Sequence, residues 1–321
     1  MRLTDMAPHA AMDKRRRSAQ AGGMARAILY LPDGLRQSAE AGKHPFLARV
    51  RSVLEGAGME VAIRPEPKGV LARGRAAMQG DWSLVHMSSP PGRRCLTFRR
   101  AYHYPFWRIE RRAERWEWDV AGAEFGEVPD RAEAERFYGF WQRRLFGKGP
   151  AGARRDGMIL VPLQGRLREQ RSFQALAPVE MVREVLAHAG GREVVVSLHP
   201  KESLDAADLA ALEALGVRPV TGGMEEALAR CDLVVTENSS VAFNGYLYGK
   251  PAILFARSDF HHIAIDGATL GMAEAVRRAE THLPDYAGYL WWFWQKMALN
   301  AGRPEIEERI AERLRQLGWP V

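Results

Sequence analysis

The feature that most constrains this chain is the alternation of short apolar runs with amphipathic segments between Met158 and Phe255. Met158–Leu163, Glu193–Leu198, Leu233–Thr236 and Ala252–Phe255 are nearly continuous in Val, Ile and Leu. Such runs predict strands of a parallel sheet covered on both faces. Val217–Val220 predicts a further short strand. Between them, Ala177–Ala189, Ala206–Leu215, Met224–Arg230 and Ser239–Tyr248 predict helical crossovers, the first with Val182, Val185 and Leu186 apolar.

A second alternation precedes this one. Arg26–Leu31, Met59–Ile63 and Ser83–Met87 predict strands, with a turn at Pro32-Asp33-Gly34. Pro45–Gly56 predicts a helix with Phe46, Val50, Val53 and Leu54 on one face. Asp130–Phe146 predicts another, capped by Asp130 and burying Phe137, Phe140, Trp141 and Leu145. Gly147–Gly157, rich in Gly, Ala and charge, predicts an interdomain linker. Glu305–Leu317 predicts an amphipathic helix with Ile306, Ile310, Leu314 and Leu317 in register. The expected organisation is therefore a disordered basic tail over 1–24, an α/β domain over 25–147 and a second over 158–283. C-terminal helices over 284–321 would pack across the two.

Several function classes lose their support. Cys95 and Cys231 lie far apart without CxxC spacing, which predicts neither a disulfide framework nor a zinc site and fits a reducing, cytoplasmic compartment. No apolar run approaches the roughly 18–20 residues needed to cross a bilayer, and the tail lacks the apolar core of a secretory signal. The cluster Leu290-Trp291-Trp292-Phe293-Trp294 predicts packing between domains, with peripheral contact at the inner membrane as its alternative. The net charge of +7 attracts anions, and it concentrates at Lys14–Arg17 and between Arg93 and Arg115. Nucleic acid is not an expected partner, since only that basic balance and the Arg–aromatic segment Tyr102–Trp118 speak for it. Neither a Walker A loop nor a GxGxxG follows a strand, so NTPase and dinucleotide-oxidoreductase readings lose their best evidence.

Ligands of parallel sheets bind at the carboxyl ends of strands, and three predicted strand ends carry polar residues. The first supplies Gln164, the second His199-Pro200-Lys201, the third Thr236-Glu237-Asn238-Ser239-Ser240, of which Thr236, Asn238, Ser239 and Ser240 are the candidate ligand contacts. Asn-Ser-Ser at a helix start offers unpaired backbone N–H groups, a positive dipole end and small hydroxyls, which suits a phosphate. A plain helix cap accounts for the same residues equally well. His199 and Lys201 are of residue types that partner phosphate, and a structural role accounts for a lone His after a strand as well. His261 and His262, adjacent on a segment read as extended, point opposite ways and predict a substrate-side or structural role, with no metal site. Arg108 and its neighbours predict either contact with an anionic acceptor or a solvated helix face with Glu110, Glu114 and Glu117.

In order, Gln164, His199-Pro200, Asn238-Ser239-Ser240-Val241-Ala242-Phe243 and Gly249-Lys250-Pro251 resemble the capsular polysaccharide biosynthesis glycosyltransferases. These include bacterial Kdo transferases and, more distantly, bacterial sialyl- and polysialyltransferases. The resemblance spans Met158–Ala264. It implies a GT-B fold, two Rossmann-like doubly wound domains facing across a cleft, and transfer without metal or cofactor. It further implies a CMP-type nucleotide-sugar donor, possessing Kdo or a sialic-acid-like sugar, and a surface-polysaccharide or glycolipid acceptor. His199 would contact the donor phosphate, and Ser239 and Ser240 would cradle it. CDP-glycerol-using polymer transferases share the Ser-Ser helix and Lys-Pro strand. An inverting transferase needs a base for the acceptor hydroxyl. In the sialyltransferase relatives an acidic residue of the first domain serves, followed by a second acid and Gly. Asp33 is the nearest match, without the paired acid, and His103 and Glu110 are the other candidates. A non-catalytic scaffold of polysaccharide assembly and a nucleotide-sugar epimerase are the alternative functions.

Overall fold

A computed structural model describes residues 25–69, 72, 74, 82–126, 128, 130–199 and 204–321. The predicted tail, Pro200 and Lys201 lie outside the described residues. The chain forms two compact units. One holds the described residues up to Arg99 with Ile109–Ala113 and Ala301–Val321, the other Arg100–Arg108 and Glu114–Asn300. Gly147–Gly157 lies inside the second unit, so the division falls elsewhere than at this Gly-rich stretch. Its backbone is tied down there: the Arg154 N–H donates to the Ala229 carbonyl at 2.8 Å, and Lys250 Nζ donates to the Arg154 carbonyl at 2.6 Å.

In the first unit, β1 (Arg26–Leu31) lies between β2 (Glu60–Pro65) and β3 (Trp82–His86), and β4 (Cys95–Arg100) lies beyond β3, all pairings parallel. Helices α1 (Asp33–Glu40) and α2 (Pro45–Gly56) follow β1. The expected turn at Pro32-Asp33-Gly34 is instead the start of α1, with Pro32 as N-cap. Proline's fixed φ and missing N–H suit a helix start as readily as a turn. Helix α2 buries Phe46, Leu47, Val50 and Leu54. The region read as a helix face around Arg108 and Glu110 is β5 (Phe106–Glu110), buried along its whole length. Arginines at its flanks had disguised an apolar strand.

The second unit carries a six-stranded parallel sheet in the order β8-β7-β6-β9-β10-β11. The strands are β6 (Met158–Leu163), β7 (Glu193–Leu198), β8 (Val220–Thr221), β9 (Leu233–Thr236), β10 (Ala252–Leu254) and β11 (Ile265–Asp266). This is the doubly wound Rossmann order, in which the winding reverses between β6 and β9. Period-two alternation explains the apolar strands. Ile159, Val161 and Leu163 pack with α4 (Pro178–His188) and α8 (Met272–Ala279). Met158 and Leu160 face the opposite cluster with Phe243 and Tyr246. Both faces are covered, so both sets must be apolar. Between these elements run α5 (Ala206–Glu213), α6 (Met224–Arg230) and α7 (Ser240–Leu247).

Helix α3 (Arg131–Phe146) starts on Asp130, whose carboxylate accepts the Glu133 N–H at 2.9 Å, as the sequence predicts. Phe140, expected in its buried face, is 51% exposed; Ala134 and Trp141 are buried. The Trp cluster runs through α9 (Tyr286–Trp291) into a π-helical turn, Trp292–Lys296. Trp292, Phe293 and Trp294 are buried. They pack on Phe106, Trp141 and Phe243 inside this unit, so they offer no face to a bilayer. Among the described residues no helix is long and apolar enough to cross a membrane. Helix α10 (Ile306–Gln316) closes the first unit, burying Ile306, Ile310 and Leu314.

Candidate functional site

Parallel winding brings the carboxyl ends of β6, β7 and β9 to one edge of the second sheet. Gln164 follows β6, His199 follows β7 and Glu237 follows β9. The β6–β9 junction is the topological switch point, where open α/β sheets hold ligands. Thr236 is fully buried there, and its hydroxyl donates to the Pro162 carbonyl at 2.8 Å. That bond locks β9 to β6 and takes Thr236 out of the set of ligand-facing hydroxyls. Asn238 Nδ2 donates to the Arg257 carbonyl at 2.9 Å. Ser239 is the N-cap of α7, its hydroxyl accepting the Val241 N–H at 3.3 Å. Ser240, in the first turn, is exposed. Cap and phosphate cradle are thus compatible here: Ser239 organises the turn and Ser240 faces outward.

Beside this edge lies a cavity of about 550 Å³ at the carboxyl ends of β10 and β11. Trp116 and Phe173 stack in its wall with ring centroids 4.3 Å apart and planes 21° apart. Arg257 lies over the Trp116 ring at 5.7 Å. Gln174 also lines the cavity, and its Oε1 accepts the Arg171 N–H at 2.8 Å, which fixes the amide orientation. Consequently Gln174 Nε2, like Trp116 Nε1, is a buried donor without a hydrogen-bond partner. Arg171 stacks over Phe173 at 4.8 Å and crosses above Gly165. At Gly165 φ is +68°, a backbone conformation that favours glycine, and a Cβ there would lie 3.1 Å from the Arg171 guanidinium. None of Trp116, Arg171, Phe173 or Gln174 was singled out from the sequence. Nothing local marks residues more than fifty positions apart as neighbours.

Glu237 sits inside the Thr-Glu-Asn-Ser-Ser run, where the sequence assigns it no role. It is 2% exposed, and both carboxyl oxygens are buried without a hydrogen-bond partner. Burial pushes its carboxyl up to about 7, while its own backbone N–H and the Arg171 charge pull the other way.

The histidine pair is not on extended backbone. His261–Ile263 forms a 3₁₀ turn, and the two rings stack at 4.3 Å. His261 is exposed at the cavity wall, with Nδ1 against the Ser258 carbonyl at 2.7 Å. His262 turns inward. Its Nε2 lies 3.0 Å from both the Val120 and Ala123 carbonyls, and its Nδ1 3.1 Å from the Tyr289 hydroxyl. Two carbonyls facing Nε2 require a proton there, which leaves Nδ1 to accept from Tyr289. Burial, then the neighbouring His261, lowers the His262 pKa to about 4. Stability from this neutral ring is complete above the unfolded value near 6.5 and is lost as pH falls toward 4. Thermal unfolding between pH 7 and pH 4 should therefore fall less steeply in His262→Gln than in the native chain. Parallel slopes would show that His262 does not titrate in this window.

Arg108, Glu110 and His103 have internal partners, whereas Asp33 is exposed. Arg108 is 4% exposed, donates to the Met297 carbonyl and stacks 5.8 Å over Trp118. That engagement removes it from an acceptor-facing position. Glu110 is 3% exposed and accepts from Arg313 at 2.6 Å, which occupies the carboxylate a base would need. His103 is half-buried against Phe146 and Trp294, with Nε2 2.8 Å from Asn244 Oδ1. Burial lowers its pKa, partly offset by Asn244. Asp33, in the first turn of α1, has a side chain 84% exposed, 3.5 Å from Arg36. Among the described residues no three His, Cys, Asp or Glu side chains cluster to hold a metal ion.

The fold of two Rossmann-like, parallel-sheet α/β units is that of the GT-B glycosyltransferases. The beta Kdo 2,7 transferase KpsC of Thermosulfurimonas dismutans is similar over 91% of this chain and 99% of that chain, with a TM-score of 0.50 and 12% identity. The beta Kdo 2,4 transferase KpsC of the same organism matches over 82% of this chain and 88% of that chain, at a TM-score of 0.43 and 13% identity. No protein-family model and no curated protein matches the sequence.

Proposed function

We propose that this chain is a glycosyltransferase of polysaccharide biosynthesis that draws its sugar from a CMP-type donor. The observation that carries this reading is the switch point of the second sheet. The α7 N-terminus with Ser239 and Ser240 lies there, and Asn238, by donating to the Arg257 carbonyl, ties that segment to the wall of a cavity at the carboxyl ends of β10 and β11, where Trp116 and Phe173 stack. The helix terminus suits a phosphate, and the aromatic wall suits a planar base. Gln174 Nε2 and Trp116 Nε1 supply the unpartnered donors that base carbonyls would satisfy. His199, after β7 on the same edge, adds a hydrogen-bond partner for the phosphate. The likeness to Kdo transferases favours Kdo or a related acidic sugar, and a surface-polysaccharide or glycolipid acceptor.

In this reading the acceptor hydroxyl attacks the anomeric carbon as the sugar–phosphate bond breaks. The electron pair stays on the phosphate, where the α7 dipole and His199 stabilise it. Fixed dipoles and cations take the part a metal plays elsewhere, and the outcome is inversion. Asp33, exposed after β1, is the proposed base for the acceptor proton. Titration calorimetry with CMP and CDP in EDTA tests the donor site. CMP should bind, and His199→Ala or the pair Ser239→Ala with Ser240→Ala should weaken it about tenfold, roughly 1.4 kcal/mol. Unchanged CMP affinity in both variants would defeat the reading.

A further inference from the structure

Among the described residues most carboxylates are exposed or paired with arginine; Glu237 is neither. Asp259, also buried in the second unit, is held by Tyr102 and faces Arg115 at 3.6 Å. An orphaned carboxyl lowers stability, and folding alone gives no reason to keep one. Its neighbours Thr236 and Ser239 both have partners.

Position supplies the reason. Glu237 is the first residue after β9, at the switch point, two residues before the α7 N-cap. Arg171 is the charged group whose field reaches it. Gln164 beyond β6, and Asn238 and Ser239 on its own segment, are neutral. Arg257 approaches that segment through its backbone carbonyl, and His199 lies two strands away. An ionised carboxylate here would oppose an anion at the helix terminus, whereas a neutral one has an O–H to give.

We propose that Glu237 binds the donor phosphate as a neutral carboxylic acid, donating a hydrogen bond to the oxygen that leaves with the phosphate. This rests on the donor-site reading above. As the sugar–oxygen bond breaks, its electron pair remains on that phosphate oxygen and the Glu237 hydrogen bond strengthens. The proton stays on Glu237, and no bond to it forms or breaks. A carboxyl held neutral by burial so that it can donate is an established catalytic device.

The test is CMP affinity of the full chain and of Glu237→Gln between pH 6 and pH 8.5. The nucleotide's own titration is common to both proteins, so their ratio isolates Glu237. With a carboxyl near 7, the native chain should match the variant at pH 6 and bind about tenfold more weakly at pH 8. Equal pH dependence in the two proteins overturns the proposal. So does loss of CMP at every pH in Glu237→Gln, which would mean that the carboxylate accepts from the ligand. Failure of the native chain to bind CMP at any pH refutes the donor site itself, and this inference with it. Thermal unfolding checks the variant's fold independently. The raised carboxyl binds a proton in the folded state that the unfolded state has lost. Native stability should therefore fall as pH rises from about 4.5 through 7, and Glu237→Gln should not show that fall.

Discussion

Glu110→Ala is expected to destabilise the first unit by about 3–5 kcal/mol, because it leaves Arg313 buried without its carboxylate. The pair is well enclosed: Glu110 is 3% and Arg313 15% exposed, at 2.6 Å. Arg313 Nε also donates to the Ile109 carbonyl at 2.9 Å, so the guanidinium is fixed against the end of β5 and cannot swing out to water. Urea denaturation of the full chain reads the loss. CMP affinity under native conditions should stay within about twofold, a change of roughly 0.4 kcal/mol, because the proposed donor residues belong to the other unit. A stable Glu110→Ala protein that had lost transfer while keeping CMP would reverse the assignment and make Glu110 the base.

Trp116→Ala should weaken CMP binding by about 1–3 kcal/mol, the worth of one base stacked on an aromatic side chain. Trp116 lines the cavity, stacks on Phe173 and has the Arg257 guanidinium 5.7 Å from its ring centroid. Removing the indole takes away the stacking surface and one unpartnered donor together. Inorganic phosphate, which needs only the α7 terminus, should bind the variant and the native chain alike. Trp116→Phe should recover the stacking part and not the donor part. Equal CMP affinity in Trp116→Ala and the native chain would remove the cavity from the donor site.

Much of the second unit was legible in the sequence. Met158–Leu163, Glu193–Leu198, Met224–Arg230 and Leu233–Thr236 are elements with the predicted bounds. Their legibility has a physical cause: a sheet covered on both faces demands apolar side chains at every position, and that demand leaves a mark in one dimension. The arginine-rich stretch from Cys95 to Arg115, which belongs partly to each unit, was harder. Strands β4 and β5 lie in an arginine-rich stretch whose charges belong to buried or stacked guanidiniums, as at Arg108 and Arg115. Composition signalled a solvated surface where packing had made a core. Phe140 failed in the other direction, apolar and in helical register yet exposed.

What the sequence determined by itself is the set of strand ends. A parallel sheet places every residue that follows a strand on one edge, so Gln164, His199 and Ser239 could be assigned to a shared side before any coordinate was known. What only the tertiary structure decided is which candidate groups are spoken for. Thr236 is consumed by Pro162, His262 by two carbonyls and a tyrosine, and Glu110 by Arg313. Glu237 is left without a partner, and Trp116 meets Phe173 across the chain. Hydrogen-bond satisfaction and ring contact depend on distances between residues remote in sequence, which no local pattern encodes.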